Sequence, residues 1–166
     1  MTGDKSGVNW IMLGFAEEKG TSSKMTMVGS GSGGFKELKE KLGSWQGKSL
    51  FGVLKVIGQN KKDNVKRNRF VYLTWIGSAV PDQLKAQLGP FKNAVLKAFF
   101  VSVALQWDVA GADLDDFVHN DIGFRLLHGE GSAKSTHFDF GDGTIKEADK
   151  LTASAKDDED SEEEDW

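Results

Sequence analysis

The apolar residues of this chain fall into short dense runs rather than one long stripe. Val8 to Phe15 (VNWIMLGF) is apolar at nearly every position, which predicts a strand covered on both faces. Lys24 to Val28 (KMTMV) predicts a shorter strand that pairs with it as a hairpin. After a glycine-rich link, Phe35, Leu38 and Leu42 recur at helical spacing and predict a short helix with one buried face. Leu50 to Ile57 (LFGVLKVI) and Phe70 to Ile76 (FVYLTWI) are the densest strand-forming runs, and the basic loop joining them predicts an antiparallel pair. Asp82 is a cap for a helix running through Phe99. Gly89-Pro90 predicts a kink or break inside it, because proline removes a backbone donor and crowds the preceding turn. Beyond the proline, Phe91, Ala94, Val95, Ala98 and Phe99 form the expected apolar stripe. Val101 to Trp107 predicts a fifth strand, and Ala112 to Asn120 a short helix with Leu114, Phe117 and Val118 inward.

The resulting order, β-β-α-β-β-α-β-α, is that of an α+β domain with a mixed sheet and helices on its faces. The glycines between Phe124, Leu126, Leu127, Phe138 and Phe140 predict an irregular extension over residues 123–156, and residues 157–166 a disordered acidic tail.

Composition sharpens this picture in two ways. The chain has 166 residues, enough to bury a core without a disulfide or metal staple, and it has no cysteine, which excludes thiolate catalysis and fits a reducing compartment. No apolar run approaches the roughly 20 residues of a membrane span, and no basic stretch followed by an apolar one opens the chain as a secretory signal would. A cytoplasmic monomer is the expectation. The net charge of −4 conceals a split: residues 157–165 (DDEDSEEED) hold eight of the 25 acids and no base, which leaves 21 bases against 17 acids elsewhere. The bases concentrate in one place, with Lys61, Lys62, Lys66, Arg67 and Arg69 leading into the Phe70 strand.

Several local patterns invite catalytic or ligand readings. Gly29, Gly31 and Gly34 match G-x-G-x-x-G between a strand and a helix, but no acid ends the next strand to hold a ribose, so the match is read as a turn. His119, His128 and His137 are spaced nine apart, which suits neither a helical metal pair nor a finger. Asp139-Phe140-Gly141 lacks the other kinase elements, and Asp139 to Gly143 lacks the acids of a calcium loop. No nucleophile–base pair stands out. Neither an enzyme, a cofactor nor a metal is expected.

Three segments carry a family resemblance. They are Ser6-Gly7-Val8-Asn9-Trp10, Val28-Gly29-Ser30-Gly31 and, most specific, Arg69-Phe70-Val71-Tyr72-Leu73-Thr74-Trp75-Ile76-Gly77. With Leu84-Lys85-Ala86 and Lys92-Asn93-Ala94-Val95 on the long helix, residues 4–122 resemble the actin-depolymerising-factor homology (ADF-H) domain family, and within it the coactosin branch. The resemblance implies a five-stranded mixed sheet between helices, actin as partner, and a place in the cytoskeleton. It implies that the long helix enters the cleft of an actin subunit, while the basic loop contacts a neighbouring subunit of a filament. The coactosin branch favours filaments, does not sever them, and opposes capping of their ends. By position, Arg69 matches the basic residue used on filaments, and Lys85 a basic residue on the long helix. Two departures stand out: the family's usual N-terminal helix is missing ahead of Ser6, as a truncated chain would lack it, and the extension after Gly123 has no family counterpart.

The expected actin-binding residues are therefore Lys61, Lys62, Lys66, Arg67 and Arg69, with Lys85, Lys92 and Lys97 on the helix. Clustered cations steer encounter with an acidic partner and give salt-sensitive affinity. Two alternatives stay open: a cofilin-type protein that severs filaments or binds monomers, and a single-stranded nucleic-acid module using Phe70, Tyr72 and Trp75 for stacking. The second is disfavoured by a strand that reads as core-facing and by the negative net charge. The acidic tail either keeps the chain soluble or folds back on the basic loop. Ser161, set among acids, is a candidate phosphorylation site there.

Overall fold

The computed structural model describes residues 7–15, 25–99, 103–130 and 134–153. Its centre is a sheet in the order β2-β1-β3-β4-β5: β1 Trp10–Phe15, β2 Met25–Gly31, β3 Ser49–Asn60, β4 Val65–Ile76 and β5 Leu105–Ala110. β5 runs parallel to β4 and the other pairs are antiparallel. The helices are α1 Gly34–Ser44, α2 Asp82–Phe99 and α3 His119–His128.

Alternation along β3 and β4 divides the core. Leu50, Leu54 and Val56 with Val71, Leu73 and Trp75 point to one face, where Phe35, Leu38 and Leu42 of α1 and Ile122 and Leu126 of α3 close over them. Each of these fully buried side chains contributes about 1.5–3 kcal/mol. The opposite face holds a smaller cluster, Phe51, Tyr72 and Val95, flanked by Ile76, Leu96 and Val103. Helices thus cover both faces, as expected.

Four expectations need correction. First, the basic residues do not sit in a loop. β3 and β4 pair continuously from Ser49↔Ile76 out to Asn60↔Val65, so Lys66, Arg67 and Arg69 are strand residues and only Lys61–Asn64 form the turn. Polar positions carry no strand signal where an arm outruns the core, because neither face has apolar neighbours to match.

Second, β5 begins at Leu105, with Val103 and Ala104 outside it; Val101 and Ser102 lie outside the described residues. The chain joins the sheet where the Ala104 amide donates to the Phe70 carbonyl, and Val103 packs in the smaller cluster instead of pairing.

Third, Ala112 to Asn120 is not one helix. A 3-10 turn over Gly111–Asp116 and α3 are separated by Phe117 and Val118 in extended backbone, with Phe117 buried. Asp113, Asp115 and Asp116 crowd like charges into that turn and favour its short length.

Fourth, the described residues between 123 and 153 carry regular elements where an irregular stretch was expected, and residue 122, the expected boundary, lies inside α3. β6 His137–Asp139 and β7 Ile145–Glu147 form a hairpin that extends the sheet to seven strands, pairing with β3 beyond the point where β1 stops. Phe138 and Phe140 are fully buried in the main core. Gly141 and Gly143, with φ of 77° and 87°, make the turn between the strands of this hairpin.

The long helix also differs in detail. It continues through Pro90 without a break. The carbonyl one turn earlier belongs to Ala86, which is exposed like Pro90, so water can satisfy it. Its buried position is Val95, with Leu96 half-buried; Phe91, Ala94 and Ala98 of the expected stripe are exposed. The Phe99 side chain lies outside what is described, as do residues 157–166 with Ser161.

Candidate functional site: a buttressed cationic hairpin

The β3–β4 arm ends in a turn closed by its own side chains. The Asn64 amide donates to the Asn60 carbonyl at 2.8 Å, and Asn64 takes φ 58°, a conformation asparagine tolerates. Asn60 Oδ1 accepts from the Lys62 amide at 2.9 Å, Asp63 Oδ1 from the Val65 amide at 3.0 Å, and Asn64 Oδ1 from Gln59 Nε2 at 2.8 Å. Such side-chain turns fix the backbone that carries the charges.

The β6 strand buttresses this arm from the side. The Thr136 amide donates to the Gln59 carbonyl, the Lys61 amide to Thr136 Oγ1, and Asn60 Nδ2 to the Lys134 carbonyl. The support was invisible in the sequence because its donors and acceptors lie more than 70 residues away.

Register places the cations on both faces of the arm. Lys66 shares its face with Tyr72, whereas Arg67 and Arg69 share theirs with Val71 and Trp75. Among the described residues, none of Lys62, Lys66, Arg67 and Arg69 enters an ion pair. Lys61 has Glu147 nearby: Lys150 first, and Lys61 more weakly, hold the Glu147 carboxyl below the usual carboxylate range. Arg69 is the half-buried member, and its Nε is sealed from solvent without a hydrogen-bond partner. The inner part of its side chain is thereby covered by the domain.

The helical lysines differ from one another. Lys92 is bound to Asp108 at 2.6 Å. Lys85 makes a loose pair with Asp82 at 3.7 Å, and Lys97 is exposed. Lys92 is therefore engaged within the domain, joining α2 to β5. The Tyr72 hydroxyl donates to the Lys92 carbonyl at 2.9 Å, and burial pushes its pKa up to about 12. Tyr72 and Trp75 are fully buried, so neither offers a ring for base stacking.

The remaining motifs serve packing. Gly34 has φ 70°, and a Cβ there would meet the Phe140 carbonyl. Its amide donates to Asn9 Oδ1 at 2.8 Å, while Asn9 Nδ2 reaches the Ser32 carbonyl at 3.0 Å. The three histidines go to separate partners: His119 to Asp142, His128 to the Phe124 carbonyl, His137 to Thr136.

Asp142 is a hub the sequence did not reveal. Its side chain is 2% exposed and accepts from His119 Nε2 at 2.6 Å, the Lys36 amide at 3.0 Å and the Thr144 amide at 2.8 Å. Burial raises its pKa, but the His119 and backbone hydrogen bonds outweigh that and hold it below the usual carboxylate range. The only signal was the G-D-G-T turn pattern.

A β2-β1-β3-β4-β5 sheet, a long helix on one face and a protruding basic hairpin define an ADF-H-type domain. Residues 1–126 match the cofilin/tropomyosin-type actin-binding protein family, so the chain belongs to that family. Within it the chain is coactosin-like. It is 29% identical over 130 residues to coactosin of Dictyostelium discoideum, covering 78% of this chain and 82% of that one. The crystal structure of coactosin from Entamoeba histolytica aligns with a TM-score of 0.63 at 21% identity, covering 76% of this chain and 86% of that one. The NMR structure of human coactosin-like protein aligns with a TM-score of 0.61 at 19% identity, covering 80% and 82%. No helix among the described residues is long and apolar enough to cross a membrane.

Proposed function

We propose that this chain is a cytoplasmic regulator of the actin cytoskeleton that binds along filaments as a monomer, without severing them, and opposes capping of their barbed ends. Membership of an actin-binding family supports actin as the partner. The observation that carries the filament reading is the stiffened hairpin, with four cations that have no internal ion pair. A rigid arm loses little conformational entropy on docking, and uncompensated charge on it is available to an acidic surface.

Arg69 is the proposed centre of the contact, since it is half-buried where the arm leaves the domain. Lys61, Lys62, Lys66 and Arg67 supply the surrounding field. Lys85 and Lys97 of α2 belong to a second contact, and Lys92 takes part only if its pair with Asp108 opens.

The test is co-sedimentation of the Lys66→Ala/Arg67→Ala/Arg69→Ala variant with filamentous actin. The expected outcome is weakened pelleting with an unchanged unfolding midpoint. Wild-type affinity in the well-folded variant would refute the assignment. Loss of total polymer on adding the wild-type protein would point instead to cofilin-type severing.

A further inference from the structure

The far edge of the sheet carries a second surface. Among the described residues β5 pairs on one side only, with β4, so the N–H and C=O groups of its other side are left open to a strand. That edge opens into a groove of about 760 Å³. Trp107, Val109 and Phe117 provide its apolar lining.

Five carboxylates line the same groove, those of Asp108, Asp113, Asp115, Asp116 and Asp121, against one guanidinium, Arg125. Arg125 lies 4.4 Å over the Trp107 ring, and Lys92 takes up only Asp108. Asp113, Asp115 and Asp116 are exposed and have no ion-pair partner among the described residues.

A buried polar residue also borders the groove. Thr74 is 5% exposed and lines the groove. Its hydroxyl lies beside that of Tyr72.

We propose that β5 accepts an extended, lysine- and arginine-rich segment of a partner protein as an added strand. The open backbone of β5 provides the ladder, which selects an extended conformation. The aspartates select for positive charge, and a strand presents alternate side chains to them and to the Trp107–Phe117 lining. Thr74 and Ile76 place this groove at the other end of β4 from Lys66 and Arg69, so it is distinct from the cationic arm.

The experiment uses the full chain and a short labelled peptide alternating lysine or arginine with valine or threonine. Anisotropy at low salt measures affinity, and hydrogen–deuterium exchange locates the contact. Slowed exchange at 105–110 is expected. Methylating the peptide's alternate backbone amides removes the ladder, and Asp113→Asn/Asp115→Asn/Asp116→Asn removes exposed charge. Each is expected to weaken binding by about tenfold, the effect of losing one or two hydrogen bonds or several surface ion pairs.

Four results would overturn the proposal. They are absence of peptide binding, equal affinity for the methylated peptide, protection confined to the acidic residues 157–165, and β5 protection that depends only on protein concentration. The last would mean a second copy of this chain occupies the edge.

Discussion

Replacing Asp142 with asparagine tests the best-defined polar centre of the domain. The carboxylate ties together three elements: the first turn of α1 through Lys36, the β6–β7 turn through Thr144, and the start of α3 through His119. Asparagine keeps one acceptor oxygen but loses the charge, and its amide turns a donor toward groups that themselves donate. A hydrogen bond to a charged group contributes about 1.5–3 kcal/mol, and the substitution weakens or loses two of the three. One backbone bond survives, and the lower end of that range for two bonds is about 3 kcal/mol. For a chain of this size that lowers the melting temperature by about 6–12 °C.

The pH dependence of this effect has a definite sign. The folded pKa of Asp142 is depressed, so its stabilisation is fully present above the ordinary carboxylate pKa and is lost as pH falls through the folded value. The gap between wild type and the Asp142→Asn variant is therefore expected to close as pH falls through and below the usual carboxylate range. Urea unfolding followed by tryptophan fluorescence measures it. A gap below about 1 kcal/mol at neutral pH, or one that persists unchanged into acid, would refute the account of Asp142 as a charged hub.

Three further outcomes follow from the packing. Phe138→Ala, in the β6 strand, is expected to cost about 3–5 kcal/mol by urea unfolding, whereas an irregular surface extension would lose almost nothing. Gly34→Ala forces a Cβ against the Phe140 carbonyl at positive φ, and should destabilise by about 2 kcal/mol or more in the same assay. Tyr72 is the sole tyrosine, so absorbance at alkaline pH titrates it alone. Its raised pKa means its contribution to stability is complete below about 10 and lost as pH rises through about 12; phenolate appearing near pH 10 in folded protein would contradict its burial.

The parts of the fold legible in the sequence are those whose signal is local and apolar. Phe35, Leu38 and Leu42 announced α1 by spacing, and the run from Phe70 to Ile76 announced both the central strand and the family. Where polar groups determine structure over long distances, the signal fails. Lys66 to Arg69 read as loop because a two-stranded arm has no core to pattern against, although its register is set by Asn60, Asp63 and Asn64. The β6–β7 hairpin does not read as a pair of strands; its glycines are turn residues between two buried phenylalanines and β7.

The candidate site divides in the same way. The cationic cluster was visible as composition. The pairing of Lys92 with Asp108, and the partial burial of Arg69, depend on neighbours that no spacing rule brings together. Asp142 shows the point most clearly, because a short turn motif in the sequence becomes the junction of two helices and a hairpin.

The most direct measurement of the central claim is co-sedimentation of the wild-type chain with filamentous actin across a salt series, with total polymer measured in the same samples. The account predicts pelleting that weakens steadily as salt rises, with polymer mass unchanged. Absence of pelleting at low salt, or pelleting accompanied by loss of polymer, would contradict it.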